Sequence, residues 1–297
     1  MGQPNEFVSR RFEQFLENIK LTVAQASDGE TKHKNVRSCL NSRYYSSTSE
    51  TANSRLIGSW GKSLRIRPPR DVDVLFQIPY ETYQRFEQRT GNKQSQLLQE
   101  VRDVLKARFS STDVKGDGPA VVVPFQSYKV ELVPAVKLTS GQFWICITKD
   151  GGSYKTFDPD AELEKLRASD QRSNGNTRAL IRMMKVWQAY CSVPLKSFHI
   201  ELLAVNFLGQ WANYDKSTVY YDWMVRDFFS YIKDKDWTYL YAPGTSESML
   251  LDGSWKSRAE SAHARAVKAC ENEAGGYNYL AGEEWQKIFG TDIPMGV

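Results

Sequence analysis

The chain has 297 residues, 41% of them hydrophobic and 25% charged, with a net charge of +4. That balance excludes a disordered chain, a collagen-like repeat and a disulfide miniprotein, and the length suits two domains or one domain built as two lobes. The mild basic excess permits polyphosphate ligands without requiring a nucleic-acid polymer, and no run approaches the roughly 20 apolar residues of a membrane helix.

Near the start, Glu6, Arg10, Arg11, Glu13 and Glu17 leave no signal-peptide core, so the expectation is a soluble, cytoplasmic protein. Val8, Phe12, Phe15, Leu16 and Ile19 recur at helical spacing and predict one long amphipathic helix over 5–26. After a polar stretch, Val36, Leu40 and Tyr44 predict a second helix whose outer face carries Lys32, His33, Lys34, Arg37 and Arg43. A basic face of that kind reads as solvated surface.

The pattern changes after Arg55. Gly58-Ser59 is followed by a loop rich in Gly, Arg and Pro, and then by the strand Asp71-Val72-Asp73-Val74-Leu75-Phe76. Leu97, Leu98, Val101, Leu105 and Phe109 predict a helix, and the runs 121–123, 128–134 and 142–148 predict strands separated by turn signals. From Asp160 onward the periodicity is helical: 161–168, 177–191, 197–211, 220–232, 254–273 and a last piece around Trp285 and Phe289. A mixed α/β half followed by a helical half predicts two lobes with a cleft between them. Cys39, Cys146, Cys191 and Cys270 form no C-x-x-C pair, and His33, His199 and His263 stand apart, so structural thiols and no zinc site are expected.

Asp71 and Asp73 lie two apart on a strand and share one face, while Val72 and Val74 share the other. Adjacent carboxylates repel, and a divalent cation removes the conflict. Glu131 interrupts the apolar run Val130-Glu131-Leu132-Val133, where an unpaired acid is costly to bury. It is read either as a water-facing residue of an edge strand, or as the partner of Lys129 in a salt bridge, or, joined with the two aspartates, as a third metal ligand. Gly58 and Ser59 can offer backbone N–H groups and a hydroxyl to a phosphate. Gly61-Lys62-Ser63 resembles the end of a P-loop, but Leu56 stands where the first glycine belongs, so that reading fails. Lys62, Arg65, Arg67 and Arg70 share the loop and are read either as a funnel for a triphosphate or as solvated charge.

Gly58-Ser59, eleven residues, Asp71-Val72-Asp73-Val74 and a later Glu131 resemble the G-S…[D/E]-h-[D/E]-h…h-[D/E]-h signature of polymerase-β-like nucleotidyltransferases. The stretch GSWGKSLRIRPPRDVDVLF, with LIRMMKVWQ, LKSFHIELL and the closing Trp285…Ile288-Phe289-Gly290, resembles the cGAS/DncV-like nucleotidyltransferases (CD-NTases) of bacterial anti-phage (CBASS) systems. This resemblance implies an α+β fold: a nucleotidyltransferase core with a mixed sheet over 1–155, a helical lobe over 156–297, and the active site in the cleft between them. It implies Asp71, Asp73 and Glu131 as catalytic, metal-binding acids for two Mg²⁺ ions, with Mn²⁺ as a substitute. Gly58, Ser59, Lys185, Ser197 and Phe198 match nucleotide-binding positions of the family, and Lys62 is added to them from the loop. By their surroundings alone, Lys185 could be a surface lysine, Ser197 a helix cap and Phe198 a core residue.

The activity implied is the joining of NTPs, ATP or GTP foremost, into a cyclic di- or trinucleotide second messenger with release of pyrophosphate. Expected partners are a product-sensing effector encoded nearby, with no membrane, no required polymer and a monomeric enzyme. The alternatives are a linear oligonucleotide synthase of the 2′–5′ oligoadenylate kind, a template-free transferase acting on RNA ends, and a module that binds nucleotide without turnover.

Overall fold

The computed structural model describes residues 5–297. The chain divides into a sheet unit, residues 21–163 with 243–245, and a helical unit, residues 5–20 with 164–242 and 246–297.

The single helix expected over 5–26 is two: α1 (Glu6–Asn18) and α2 (Val23–Tyr45). Thr22 starts the second with a reciprocal cap, accepting from the Gln25 N–H at 3.2 Å while its own N–H donates to the Gln25 side chain at 2.9 Å. The polar stretch after residue 26 does not break α2. A Cβ on Gly29 would lie 2.5 Å from the Trp60 ring, so glycine here serves close packing rather than a turn. The basic face of α2 is also not wholly solvated. His33 and Arg37 are buried, and Arg37 donates to the Ser54 hydroxyl at 2.7 Å and the Thr51 carbonyl at 2.8 Å. Burial pushes the His33 imidazole down to about 4, helped by the charges of Arg37, Lys34 and Arg65.

The rest of the sheet unit runs β1 (Ser54–Leu56), α3 (Gly58–Gly61, one turn), β2 (Asp71–Gln77), α4 (Tyr80–Glu87), α5 (Lys93–Arg108), β3 (Lys115–Asp117), β4 (Ala120–Pro124), β5 (Lys129–Lys137), β6 (Phe143–Ile147) and β7 (Ser153–Phe157). The sheet order is β1-β2-β5-β4-β3, with β6 paired to β5 and β7 to β6. β2 and β5 are parallel, and the other pairings are antiparallel. Val72, Val74, Phe76, Val121, Val123, Val130 and Leu132 share one core cluster with Val36 and Leu40 of α2 and Leu97, Val101 and Leu105 of α5. This helix-covered face leaves the alternate residues of β2, β5, β4 and β3 on the other face.

The helical unit contains α1, most of α6 (Pro159–Arg172), α7 (Asn176–Tyr190), α8 (Ser197–Leu208), α9 (Tyr221–Ile232), α10 (Lys256–Ala274) and α11 (Asn278–Phe289). It also holds a hairpin that the periodicity did not announce, β8 (Tyr239–Tyr241) and β9 (Ser248–Leu250). The apolar stripe of α1 is buried as expected. Phe12 meets Trp285 edge-on at 5.2 Å between ring centroids, and Phe15 meets Phe289 at 4.9 Å. Arg11, fully buried on the same helix, donates to Glu273 of α10 at 2.9 Å and to the Asn278 carbonyl at 2.8 Å. The four cysteines are free thiols.

Candidate active site

The open face of the sheet is built by register. In the parallel pair, Asp71 stands opposite Lys129 and Asp73 opposite Glu131. β5 is bracketed by β2 and β4, so Glu131 is on a central strand, and the edge-strand reading falls. Counting across the pairings, Asp71, Asp73, Lys129, Glu131, Val122, Lys115 and Asp117 all fall on one face, because paired residues and their i±2 neighbours point the same way. Val72, Val74, Val130 and Leu132 alternate with the acids and are buried in the core. The hydrophobic pattern thus forces the carboxylates together on the other side.

Their electrostatics follow. Partial burial pushes the Glu131 carboxyl up to about 7, and the charges of Asp71, Asp73 and Asp117 push the same way against the opposing pull of Lys129. A carboxylate held this way favours either a proton or a cation. The fit to a metal rests on chemistry: three oxygen donors of hard character, in register on two adjacent strands, which suits Mg²⁺ better than zinc or a softer ion. Among the described residues, no three acidic, His or Cys side chains are already closed into a cage. Substrate phosphates and water would supply the remaining ligands of an ion that ordinarily keeps several waters.

Gly58 borders this face. β1 runs antiparallel to β2, and the Ile57 N–H donates to the Asp73 carbonyl at 3.0 Å, which brings the start of α3 against the acid. Gly58 adopts φ +53, and a Cβ there would lie 2.0 Å from Asp73 Oδ2. Any other residue would be strained and would collide with the carboxylate. Ser59 follows in the same turn. The Gly61 and Lys62 amides are taken up by Ile57 and Gly58 carbonyls at 3.0 Å, and the Leu64 amide by Ser59 at 2.8 Å.

Lys62 sits differently from the phosphate-binding cation that the loop suggests. It is buried, and its ammonium lies 2.8 Å from Glu162 of α6, with both side chains about nine-tenths buried. Arg65 of the same loop lies over the Trp60 ring, 4.7 Å from its centre, which uses it in packing. Arg55 forms a forked pair with Asp160 at 2.6 and 2.8 Å. The sequence offered no signal for the Lys62–Glu162 or Arg55–Asp160 pairs, because their partners are far apart along the chain.

The other three proposed nucleotide contacts lie in the helical unit. Lys185 is buried on α7, so the surface-lysine reading falls. Ser197 is the first residue of α8, whose N-cap is Lys196, and its hydroxyl donates to Gln188 Oε1 at 3.1 Å. It is therefore not the cap. Gln188 lies one turn from Lys185 on α7, so the two positions are neighbours across the α7–α8 packing. Gln188 also donates to the Leu195 carbonyl, which makes it the residue that orients this corner, and sequence reasoning missed it. Phe198 is half-buried.

Comparison with known proteins bears on the family and the fold. Residues 7–170 match the model of the Second Messenger Oligonucleotide or Dinucleotide Synthetase domain. A probable cyclic nucleotide synthase of Bacillus cereus (strain VD146) is 24% identical over 275 residues, covering 80% of this chain and 81% of that protein. Among solved structures, CdnC of Escherichia coli MS115-1 in its complex with HORMA-deltaN is similar with a TM-score of 0.69 at 18% identity, covering 96% of this chain and 97% of that one. DncV of Vibrio cholerae, a cyclic AMP-GMP synthase solved with a linear intermediate, is similar with a TM-score of 0.67 at 12% identity, over 97% and 88% of the two chains. The expected α+β nucleotidyltransferase fold is borne out. The chain belongs to the Second Messenger Oligonucleotide or Dinucleotide Synthetase family, and is a nucleotidyltransferase of the cyclic-nucleotide-synthase kind.

Proposed function

We propose that the chain condenses NTPs, with ATP and GTP foremost, into a cyclic di- or trinucleotide through Asp71, Asp73 and Glu131. The observation that carries this reading is the β2–β5 register, which sets Glu131 beside Asp73 on the face opposite the core. In each step a ribose hydroxyl of the acceptor attacks the α-phosphorus of the donor, a P–O bond forms, and pyrophosphate leaves. Asp71, Asp73 and Glu131 would hold Mg²⁺, with Mn²⁺ as a substitute, and ions held there would supply charge stabilisation for the triphosphate and would acidify the attacking hydroxyl.

The chain's own groups do the positioning. Gly58 lets the backbone approach closely, and the Ser59 hydroxyl donates to a phosphate oxygen. Lys185 neutralises negative charge on the donor triphosphate, Ser197 donates to phosphate, and Phe198 offers a ring for a base to stack on. Lys62 acts at one remove: its pair with Glu162 fixes the turn that carries Gly58 and Ser59. The anti-phage setting and a product-sensing effector extend the same reading from the family likeness.

The test is incubation of the purified protein with labelled NTPs and Mg²⁺, followed by phosphatase treatment and product mass spectrometry. A phosphatase-resistant product from the wild type, absent from an Asp71→Ala/Asp73→Ala variant, is expected. A product with a free terminal phosphate makes the enzyme a linear synthase instead. Identical chromatograms from both proteins overturn the assignment.

A further inference from the structure

The helical unit contains a cavity of about 500 Å³, lined by residues of α1, the turn before α9, α9 itself and α10. Phe7, Tyr220 and Trp223 supply its aromatic wall, and Asp222, Cys270 and Glu273 its buried polar part. At the rim, Glu6 and Arg10 are exposed and carry opposite charges. None of the catalytic acids lies here.

Asp222 is the unusual member. It is 4% exposed, it lies in the first turn of α9, and its Oδ1 has no hydrogen-bond partner. The backbone N–H groups of Trp223 and of Asp222 itself support the carboxylate. Glu273, which also lines the cavity and whose Oε2 likewise has no hydrogen-bond partner, keeps a counter-ion in Arg11, 2.9 Å from its Oε1. A carboxylate oxygen buried without a hydrogen-bond partner costs stability, and a donor brought into the half-open cavity would satisfy it. We propose that this cavity binds a small organic cation, a primary ammonium on an apolar or aromatic stem, whose N–H groups meet Asp222 while the stem packs against Phe7, Tyr220 and Trp223. Aromatic faces favour cations, and a buried carboxylate favours one that donates hydrogen bonds.

The charged neighbours define the pH response. On α9 these are Asp222 and Arg226, on α10 Cys270 and Glu273, and on α1 Glu6, Arg10 and Arg11. Burial first, and then the charge of Glu273, push the Asp222 carboxyl up to about 7 against the pull of Trp223 N–H and Arg226. Burial pushes the Cys270 thiol up as well, so it stays protonated. A bound ammonium requires the ionised acid, so affinity rises as pH climbs from about 6 to 8 and a proton is released on binding.

The experiment titrates the whole chain with benzylammonium chloride, without nucleotide, following tryptophan fluorescence at constant ionic strength. Benzyl alcohol is the neutral control, and Asp222→Asn the shape-preserving variant. The expected result is saturable binding that weakens by at least about tenfold in the variant, with the alcohol, and at pH 6 relative to pH 8. Absence of saturable binding, equal binding by Asp222→Asn, or equal binding of the alcohol overturns the proposal. No NTP enters the measurement, so its outcome is separate from that of the synthase assay.

Discussion

On the sheet, burial first and then the charges of neighbouring Asp71 and Asp73 push the Glu131 carboxyl up to about 7. At the α10–α11 packing, Glu284 is more deeply buried, and burial pulls it upward too. Yet hydrogen bonds from Lys287, Arg265 and Lys268 overcome that and bring it down to about 2. The chain can neutralise a withdrawn acid with three cations where an acid is structural. On the open sheet face it does the reverse and adds further acids. Acids gathered on one pair of strands and an acid surrounded by three cations elsewhere are two opposite electrostatic settings for a withdrawn carboxylate in one chain.

Variants at three positions break or sharpen that contrast. The largest effect is expected from Glu131→Gln, which lowers kcat at least about a hundredfold if the acid holds a catalytic ion. The same variant tests the electrostatics without turnover. An acid whose folded pKa is raised from 4.5 to about 7 binds its proton more tightly when folded, so wild-type stability falls as pH rises through that window. Metal-free Glu131→Gln is therefore expected to melt above the wild type at pH 8, by on the order of 1–3 kcal/mol, and level with it near pH 4. Equal melting at pH 8 would show that neither burial nor the neighbouring acids disfavour the ionised Glu131.

Next is Lys62→Met, which removes one partner of a pair with both side chains about nine-tenths buried. A stability loss of about 2–4 kcal/mol is expected, with recovery when Glu162→Leu is added. A raised KM for NTP with no change in melting would return Lys62 to the role of a phosphate contact.

The smallest is Glu284→Gln, whose cations are about half exposed. Solvent screening limits its cost to about 1–2 kcal/mol at pH 7. With a folded pKa near 2, that contribution is present above about pH 4.5 and fades as pH falls toward 2. A difference that persists at pH 2 would mean packing, not charge, holds this joint.

Much of the site was legible because it is written in a two-residue period. Alternation in Asp71-Val72-Asp73-Val74 and around Glu131 fixes which side chains reach the core, and the parallel pairing then aligns the rest. The break between α1 and α2 was missed although the Thr22-Gln25 capping box was in plain view, because the apolar spacing before it masked the stop. Other features were out of reach in principle. The burial of His33 and Arg37, the pairing of Lys62 with Glu162, the seating of Gln188 between α7 and α8, and the solitary oxygen of Asp222 depend on which distant segments meet. A short hairpin such as Tyr239–Tyr241 with Ser248–Leu250 has too few residues for periodicity to separate it from loop.

The alternation of valine and aspartate along one central strand also bears on how such an enzyme matures. A slip of one residue between β2 and β5 would drive Glu131 into oil and expose Val130, so a misaligned chain loses its interior and its chemistry in the same stroke. The register that packs the interior is therefore the same one that gathers these acids on one face.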